Sequence, residues 1–388
     1  MPPPSVLHVS HTSHRGGAEL ALVRMLAQEH EWRAGVCAPP GGDAFEGLEA
    51  YGVRVALDLP ALPTGGTRGR SPVLVARYLA GLRASARTLR RGALYREADV
   101  VHANTAAAGI ICGLGGGGRT APLVVHVRDQ VAAESLGRFG LEAFTRLGLR
   151  RADGVVANSR STLASAEPWL APDVPRAVIQ SPVGLDRRVT DPRVRSTVTA
   201  IGMVGRLQRW KGQHVFVEAF AREFRGTGVR ADLAGAPLFG EAAYEEELRA
   251  LAARLGVADQ VRFLGHVDDV SGFLDSVDVL VHASTRPEPL GQTVIQGLAR
   301  GMPVVATEGG GPGEWIRSGF NGLLVPPDRP EALAAALRTL VDSAELRGKL
   351  AAGAAHTDGI MTDRECVSAH AVFFDDVRRW FVSEGRGG

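Results

Sequence analysis

The stretch Ser284-Thr285-Arg286-Pro287-Glu288-Pro289-Leu290-Gly291-Gln292-Thr293-Val294-Ile295-Gln296-Gly297-Leu298-Ala299-Arg300-Gly301-Met302-Pro303-Val304-Val305-Ala306-Thr307 reads as a loop, a helix and a strand in succession. It follows the apolar run 279–282, so a strand enters it. A loop holding Glu288 and Gly291 leads into helical spacing from Gln292, Gly301 closes the helix, and the apolar run 304–307 resumes. Glu288 thus falls in the loop and Gln296 about one turn inside the helix, with the open amides of the helix start between them, a place suited to phosphate.

The same alternation extends in both directions. Short Val-, Leu- and Ile-rich runs at 200–204, 231–234 and 261–264 precede this unit, separated by helical segments such as 244–255. An earlier series runs through 6–9, 34–37, 53–57, 100–101, 123–127 and 155–157, with helical spacing at 19–29 and 73–91 between its members. Short apolar runs alternating with amphipathic segments predict parallel sheets covered on both faces. Two such series predict an α/β protein of two doubly wound, Rossmann-like domains, an N-terminal one over 1–183 and a C-terminal one over 184–361. The hinge is expected in the turn-rich stretch from Ser181 to about Arg195. The segment from about 362 to 388 carries Phe373, Phe374, Val377, Trp380 and Phe381 at helical spacing, an apolar stripe expected to pack back on the first domain.

Composition narrows the partners. The 388 residues carry 44 Lys plus Arg against 42 Asp plus Glu, a formal charge of +2. That balance supplies no whole-protein field for nucleic acid. Three well-separated cysteines, Cys37, Cys112 and Cys366, lack metal-ligand spacing and fit a reducing compartment. No basic, apolar leader opens the sequence, and no run reaches the roughly 20 apolar residues of a membrane span. A cytoplasmic location is the expectation. The arginines at 68, 70, 77, 83, 87, 90, 91 and 96 crowd one stretch. A membrane surface is one reading of them and a solvated helix face the favoured one.

Three places carry candidate chemistry. After the first strand, His14-Arg15-Gly16-Gly17-Ala18-Glu19 opens a helix, and paired glycines there let backbone amides approach an anion. An ordinary strand-to-helix turn, with Glu19 favourable in the first helical turn, explains it as well. After the first strand of the second domain, Val204-Gly205-Arg206-Leu207-Gln208-Arg209-Trp210-Lys211-Gly212 sets a guanidinium and an ammonium beside a helix entrance. An arginine offers phosphate a planar fork and a lysine a point charge, so the two are complementary; a solvated basic turn is the alternative. The Glu288 loop is the third. His8 reads as a core histidine, His102 and His282 as strand-end residues, and Asn158-Ser159 as a helix cap.

The order of these motifs resembles the family 4 glycosyltransferases of GT-B fold, whose hallmark is two glutamates separated by seven residues. The match runs through Gly16-Gly17-Ala18-Glu19, His126, Asn158-Ser159, Gly205-Arg206 with Lys211, the stretch 288–307 with Gly309-Gly310, and Asn321-Gly322-Leu323-Leu324-Val325. The resemblance implies a GT-B architecture with an interdomain cleft. It implies that Arg206 and Lys211 bind a donor diphosphate, with Gly16, Gly17 and Gly205 supplying close backbone. Glu288 would hold the hydroxyls of the donor sugar, with Leu290, Gly291 and Gln292 at the helix start. His126 would be the family's active-site histidine, and the turn at His266 would lie near the base. Asn104, Arg128 and Asp129 are candidates for the acceptor side.

Gln296 stands where the family has its second glutamate, associated with the ribose. An amide oxygen still accepts from a hydroxyl, though less strongly than a carboxylate. The resemblance further implies retention of anomeric configuration by front-face attack, with a donor phosphate oxygen taking the acceptor proton. The expected reaction moves a hexose from a nucleotide diphosphate sugar, a UDP-sugar first, to a hydroxyl of a small polar or glycan acceptor, in natural-product or glycan synthesis. No cofactor and no metal are expected, since no Asp-x-Asp pair closes a strand. The alternatives are a nucleotide-sugar epimerase or phosphorylase on the same architecture, or a non-catalytic sugar-nucleotide-binding subunit.

Overall fold

The computed structural model describes residues 3–63, 72–115, 121–186, 188, 189, 191, 192, 194–237 and 242–385. Arg68, Arg70, residues 64–69 of the Pro- and Gly-rich loop, and three positions of the expected hinge lie outside them. The chain divides into two compact units, Met1–Asp186 with Met361–Gly388, and Arg187–Ile360.

The first unit is built from β1 (Ser5–Val9), α1 (Gly17–Leu26), β2 (Arg33–Cys37), β3 (Arg54–Ala56), α2 (Pro72–Arg91), α3 (Ala93–Arg96), β4 (Val100–Ala103), α4 (Ala106–Gly115), β5 (Leu123–Val127), α5 (Ala133–Ala143), β6 (Gly154–Ala157), α6 (Arg160–Ala166) and β7 (Arg176–Val178). Its seven strands lie in the order β3-β2-β1-β4-β5-β6-β7, and every pair is parallel. Alternate residues face opposite sides of a strand. Leu7, Val9, Val101, Leu123 and Val125 therefore join one core with α2 and α4, while Val6, Val100, Val124 and Val156 join another with Leu22 and Met25 of α1.

The second unit holds β8 (Ala200–Val204), α7 (Gln213–Phe224), β9 (Arg230–Ala234), α8 (Ala242–Arg254), β10 (Val261–Gly265), α9 (Val270–Ser276), β11 (Val279–His282), α10 (Gln292–Ala299), β12 (Val304–Thr307), α11 (Pro312–Trp315), β13 (Leu323–Val325), α12 (Pro330–Asp342) and α13 (Ala344–Ala355). Its six strands run β10-β9-β8-β11-β12-β13, again all parallel. The order reverses between β1 and β4 in one sheet and between β8 and β11 in the other. At such a reversal the connections leave to opposite sides and open a crevice beyond the strand ends.

The last helix, α14 (Asp363–Ser383), belongs to the first unit, and its Phe373, Phe374 and Val377 cover the core face that carries Val6 and Val124. Its start is tied down. Thr362 and Glu365 form a capping box, and the buried carboxylate of Asp363 accepts from the backbone N–H of Val183, Gly184 and Leu185 at 2.9–3.2 Å. Cys37, Cys112 and Cys366 are buried free thiols. Burial pushes the Cys37 and Cys366 thiols well above the usual range.

Candidate functional site

In the second unit the residues after β8 and after β11 meet at the reversal point. Following β8, the short helical turn Arg209–Lys211 ends at Gly212, whose φ of 77° is open to glycine. A Cβ there would stand 1.9 Å from the carbonyl oxygen of Ala283. That contact brings the turn against the loop after β11, and the Thr285 N–H donates to the Trp210 carbonyl at 2.8 Å. Lys211 is thereby delivered to Glu288.

The Lys211 ammonium donates to Glu288 Oε2 at 2.7 Å, with only 19% and 12% of the two side chains exposed. Ser284 Oγ donates to the same oxygen at 3.0 Å, and His282 Nε2 lies 3.4 Å from it and 3.1 Å from Ser284 Oγ. The Ser284 carbonyl in turn accepts from Thr307 Oγ1 at 2.8 Å, which ties the loop to β12. Burial alone would raise the Glu288 carboxyl. The adjacent Lys211 ammonium and the His282 N–H outweigh it and hold the group well below the usual carboxylate range. Glu288 is therefore a carboxylate with one oxygen anchored by three groups. An ammonium has three N–H donors, so Lys211 serves Glu288 and retains two for another anion. It also sits 4.2 Å from the Trp210 ring centroid, which steadies its charge.

Beyond Glu288 the backbone is fixed by glycines. The Glu288 carbonyl accepts from the Gly311 N–H at 2.7 Å, and a Cβ on Gly310 would stand 2.2 Å from that carbonyl oxygen. Gly291, at φ 75°, caps α10 with no side-chain acceptor, so the first amides of the helix, at Gln292 and Thr293, face outward from its positive end. Leu290 is buried and anchors the turn. Gln296 is 7% exposed, one turn inside α10. Arg206 is half-buried, and its carbonyl accepts from Gln213 Nε2 at 2.8 Å. The N–H of Gly205 extends the β9 ladder to the Ala234 carbonyl. His266 stands apart: its side chain is 70% exposed and pairs with Asp268 at 3.2 Å.

In the first unit, Gly16 caps α1 and Gly17 has open space where a Cβ would stand. Glu19 folds back over this start, 4% exposed, with Oε1 accepting from Ser10 Oγ at 2.9 Å and Oε2 within 2.6 Å of a Cβ built on Gly16. A carboxylate already occupies part of this helix entrance. Arg128, just past β5, donates to the Asn104 carbonyl at 2.9 Å, to Asn104 Oδ1 at 2.7 Å and to Ser181 Oγ at 2.7 Å. Asn104 donates to the Ala18 carbonyl at 3.1 Å, so the strand ends and the start of α1 are one assembly. Burial lowers the Arg128 guanidinium to about 10 against the opposing charge of Glu19 and Asp129. Asp129 itself is exposed.

His126 lies at the end of β5, as the sequence reading set it, one residue before Val127. Its ring is fully buried inside the first unit, beside His102 and facing His370 of α14. The group that β5 presents past its carboxyl end is Arg128. His282, read from sequence as a strand-end histidine able to reach a cleft, and Ser284, to which no role was given, prove to be the supports of Glu288. Their signal was present in the run Val279 to Ser284, where a histidine and a serine two apart close a strand on one face. Among the described residues there is no cluster of three or more groups fit to hold a metal, and no helix long and apolar enough to cross a membrane.

Two family models match the chain, one described as glycosyltransferase family 4 over residues 17–187 and one as glycosyl transferases group 1 over residues 190–357. The lipopolysaccharide core biosynthesis glycosyltransferase LpsE of Rhizobium meliloti (strain 1021) is 37% identical over 171 residues, 44% of this chain and 46% of LpsE. A D-inositol 3-phosphate glycosyltransferase of Streptomyces scabiei (strain 87.22) is 30% identical over 256 residues, 60% of this chain and 57% of that protein. The chain thus matches about half the length of these relatives. Among solved structures, Anabaena Alr3699/HepE in complex with UDP and glucose has a TM-score of 0.78 at 26% identity, covering 96% of this chain and 99% of that one.

Proposed function

The chain belongs to the family 4 glycosyltransferases, which have the GT-B fold, and on that premise we propose that it transfers a hexose from a UDP-sugar to a hydroxyl of a glycan or polyol acceptor with retention of configuration. The observation that carries the proposal is the Lys211–Glu288 pair, set at the strand-order reversal of the second sheet beside the uncapped start of α10. Arg206 and the remaining N–H groups of Lys211 take the diphosphate, with the amides of Gln292 and Thr293 adding partial positive charge. Leaving-group stabilisation by such fixed donors is worth several kcal/mol where water is excluded, commonly a factor of about 10² to 10³ in rate per donor removed.

Glu288 orients the sugar. Its anchored oxygen fixes the plane of the carboxylate, and the other oxygen accepts from a sugar hydroxyl. With the nucleotide departing from the face that the acceptor hydroxyl approaches, a phosphate oxygen of the donor takes the acceptor proton, and no separate basic side chain is needed. Gln296 accepts from the ribose in place of a carboxylate. In the first unit Arg128, held by Asn104 and Ser181, serves the acceptor together with Asp129. UDP as the nucleotide draws support from the HepE complex with UDP and glucose, and the acceptor class from the names of the lipopolysaccharide and inositol relatives. No metal or cofactor enters this scheme, since the cationic side chains carry the phosphate charge.

Thermal-shift screening of nucleotide sugars, followed by acceptors with the best donor, tests the reading. Transfer predicts that nucleoside diphosphate is released only when acceptor is present, and proton NMR of the product reports the same anomer as the donor. Tight donor binding with no release under any acceptor would make the chain a binding subunit, and an inverted anomer would remove the front-face mechanism.

A further inference from the structure

Four histidines from four different elements meet inside the first unit, all without solvent exposure: His8 of β1, His102 of β4, His126 of β5 and His370 of α14. His8 and His102 are register partners on neighbouring strands. The contacts form a line. Trp32 Nε1 lies 3.2 Å from His8 Nε2, His8 Nδ1 lies 2.9 Å from His102 Nδ1, and His102 Nε2 lies 3.3 Å from His126 Nδ1. His370 Nδ1 lies 2.7 Å from the Cys366 carbonyl oxygen. Two nitrogens, His126 Nε2 and His370 Nε2, are buried and have no partner.

One-way groups at the two ends decide where every proton sits. The indole nitrogen of Trp32 only donates, so His8 Nε2 accepts and the single proton of neutral His8 is on Nδ1. That proton goes to His102 Nδ1, which places the proton of His102 on Nε2. The same step repeated places the proton of His126 on Nε2. At the other end a carbonyl only accepts, so His370 carries its proton on Nδ1 and has a lone pair on Nε2. A second proton on any ring of the line would set N–H against N–H. The four rings are consequently neutral, as their complete burial among Val6, Val100, Val124 and Phe374 also demands.

The two unpartnered nitrogens are complementary: one is a donor and the other an acceptor, on rings whose centroids are 5.6 Å apart. Left unmade, each buried group forfeits the hydrogen bond it had in water. We infer that a single buried water closes the line, accepting from His126 Nε2–H and donating to His370 Nε2, and so joins α14 to the sheet through a tautomerically fixed chain that begins at Trp32. Water is a ligand of matching chemistry, because its one oxygen both accepts from an N–H and donates to a ring nitrogen. The inference is independent of the proposed transfer reaction.

High-resolution diffraction and long-range nitrogen–proton NMR on the full chain test it together. Expected are an ordered solvent peak within hydrogen-bonding distance of both Nε2 atoms and protonation at Nδ1 in His8 and His370 but at Nε2 in His102 and His126. In Trp32→Phe, His8 is released to exchange tautomers and the fixed assignments of His102 and His126 are lost, while His370, held by Cys366, keeps its own. A dry gap between the rings, or His126 protonated at Nδ1 in the unaltered protein, would overturn the inference; those two readings stand even if the Trp32 variant fails to fold.

Discussion

At the scale of the residue, the account turns on how one carboxylate is held. Glu288 has Lys211, Ser284 and His282 on one oxygen, so its charge is secured and its orientation fixed. Glu288→Gln keeps the shape and removes the charge. It is expected to lower turnover by about 10² while changing the affinity for UDP much less, because the lost contact is to the sugar and not to the diphosphate. Steady-state kinetics beside a UDP titration checks this; an equal loss in both would place Glu288 on the phosphate. Arg206, Lys211 and Glu288 stood out as residue types at strand exits, and the structure brings Lys211 and Glu288 together. The spacing of His282 and Ser284 marks them as sharing a face at a strand exit but not their target, because a hydrogen bond from Ser284 to a residue four positions on depends on how the loop bends. His126 shows the same limit: spacing put it near a strand end, and the pleat turned its ring inward among other histidines.

At the scale of the element, the central strands of both sheets and the helices read at 19–29, 73–91, 244–255 and from Gln292 follow from apolar periodicity, and the structure adds the short edge strands and the remaining helices. β7, Arg176–Val178, was not read from sequence: three residues with Val178 exposed carry no periodic signal, and its pairing with β6 makes it a strand. The final helix was legible through Phe373, Phe374 and Val377, but its anchor was not. Asp363 looks like an ordinary acidic residue in a first helical turn, whereas its carboxylate gathers three backbone N–H groups from a segment 178 to 180 residues away. Asp363→Ala leaves those donors buried without an acceptor and is expected to cost about 2–4 kcal/mol, since hydrogen bonds to a charged group are the strong ones. Denaturant unfolding measures it, and a loss below about 0.5 kcal/mol, the size of an ordinary surface substitution, would show that the anchor is dispensable.

At the scale of the whole molecule, the two units should answer acid differently. His8, His102, His126 and His370 are all held neutral by burial, with Arg128 adding to the effect, and His370 is lowered to about 4. Their folded-state values lie below the unfolded value of about 6.5, so the unfolded chain binds more protons in that interval. Stability of the first unit is therefore full above about pH 6.5 and falls as pH drops from there toward 4, His370 alone contributing about 3 kcal/mol. Glu288 in the second unit is depressed too and has the same sign of linkage, but in a lower window: its contribution is present above the ordinary carboxylate value of 4.5 and is lost as pH falls below it. Thermal melts at pH 7.5, 6 and 5 are expected to show a transition that moves down with acid, and a smaller shift in a variant without His370 would identify that residue's share. A melting temperature independent of pH over that range would contradict the buried neutral cluster.

The central claim is that Arg206 and Lys211 form the diphosphate site of a glycosyltransferase, and calorimetric titration of the protein with UDP tests it most directly. The unaltered chain should bind UDP, and Arg206→Ala and Lys211→Ala should each weaken binding by at least about tenfold, the worth of one charge-assisted contact, with folding intact by circular dichroism. Equal affinity in all three proteins would contradict the claim.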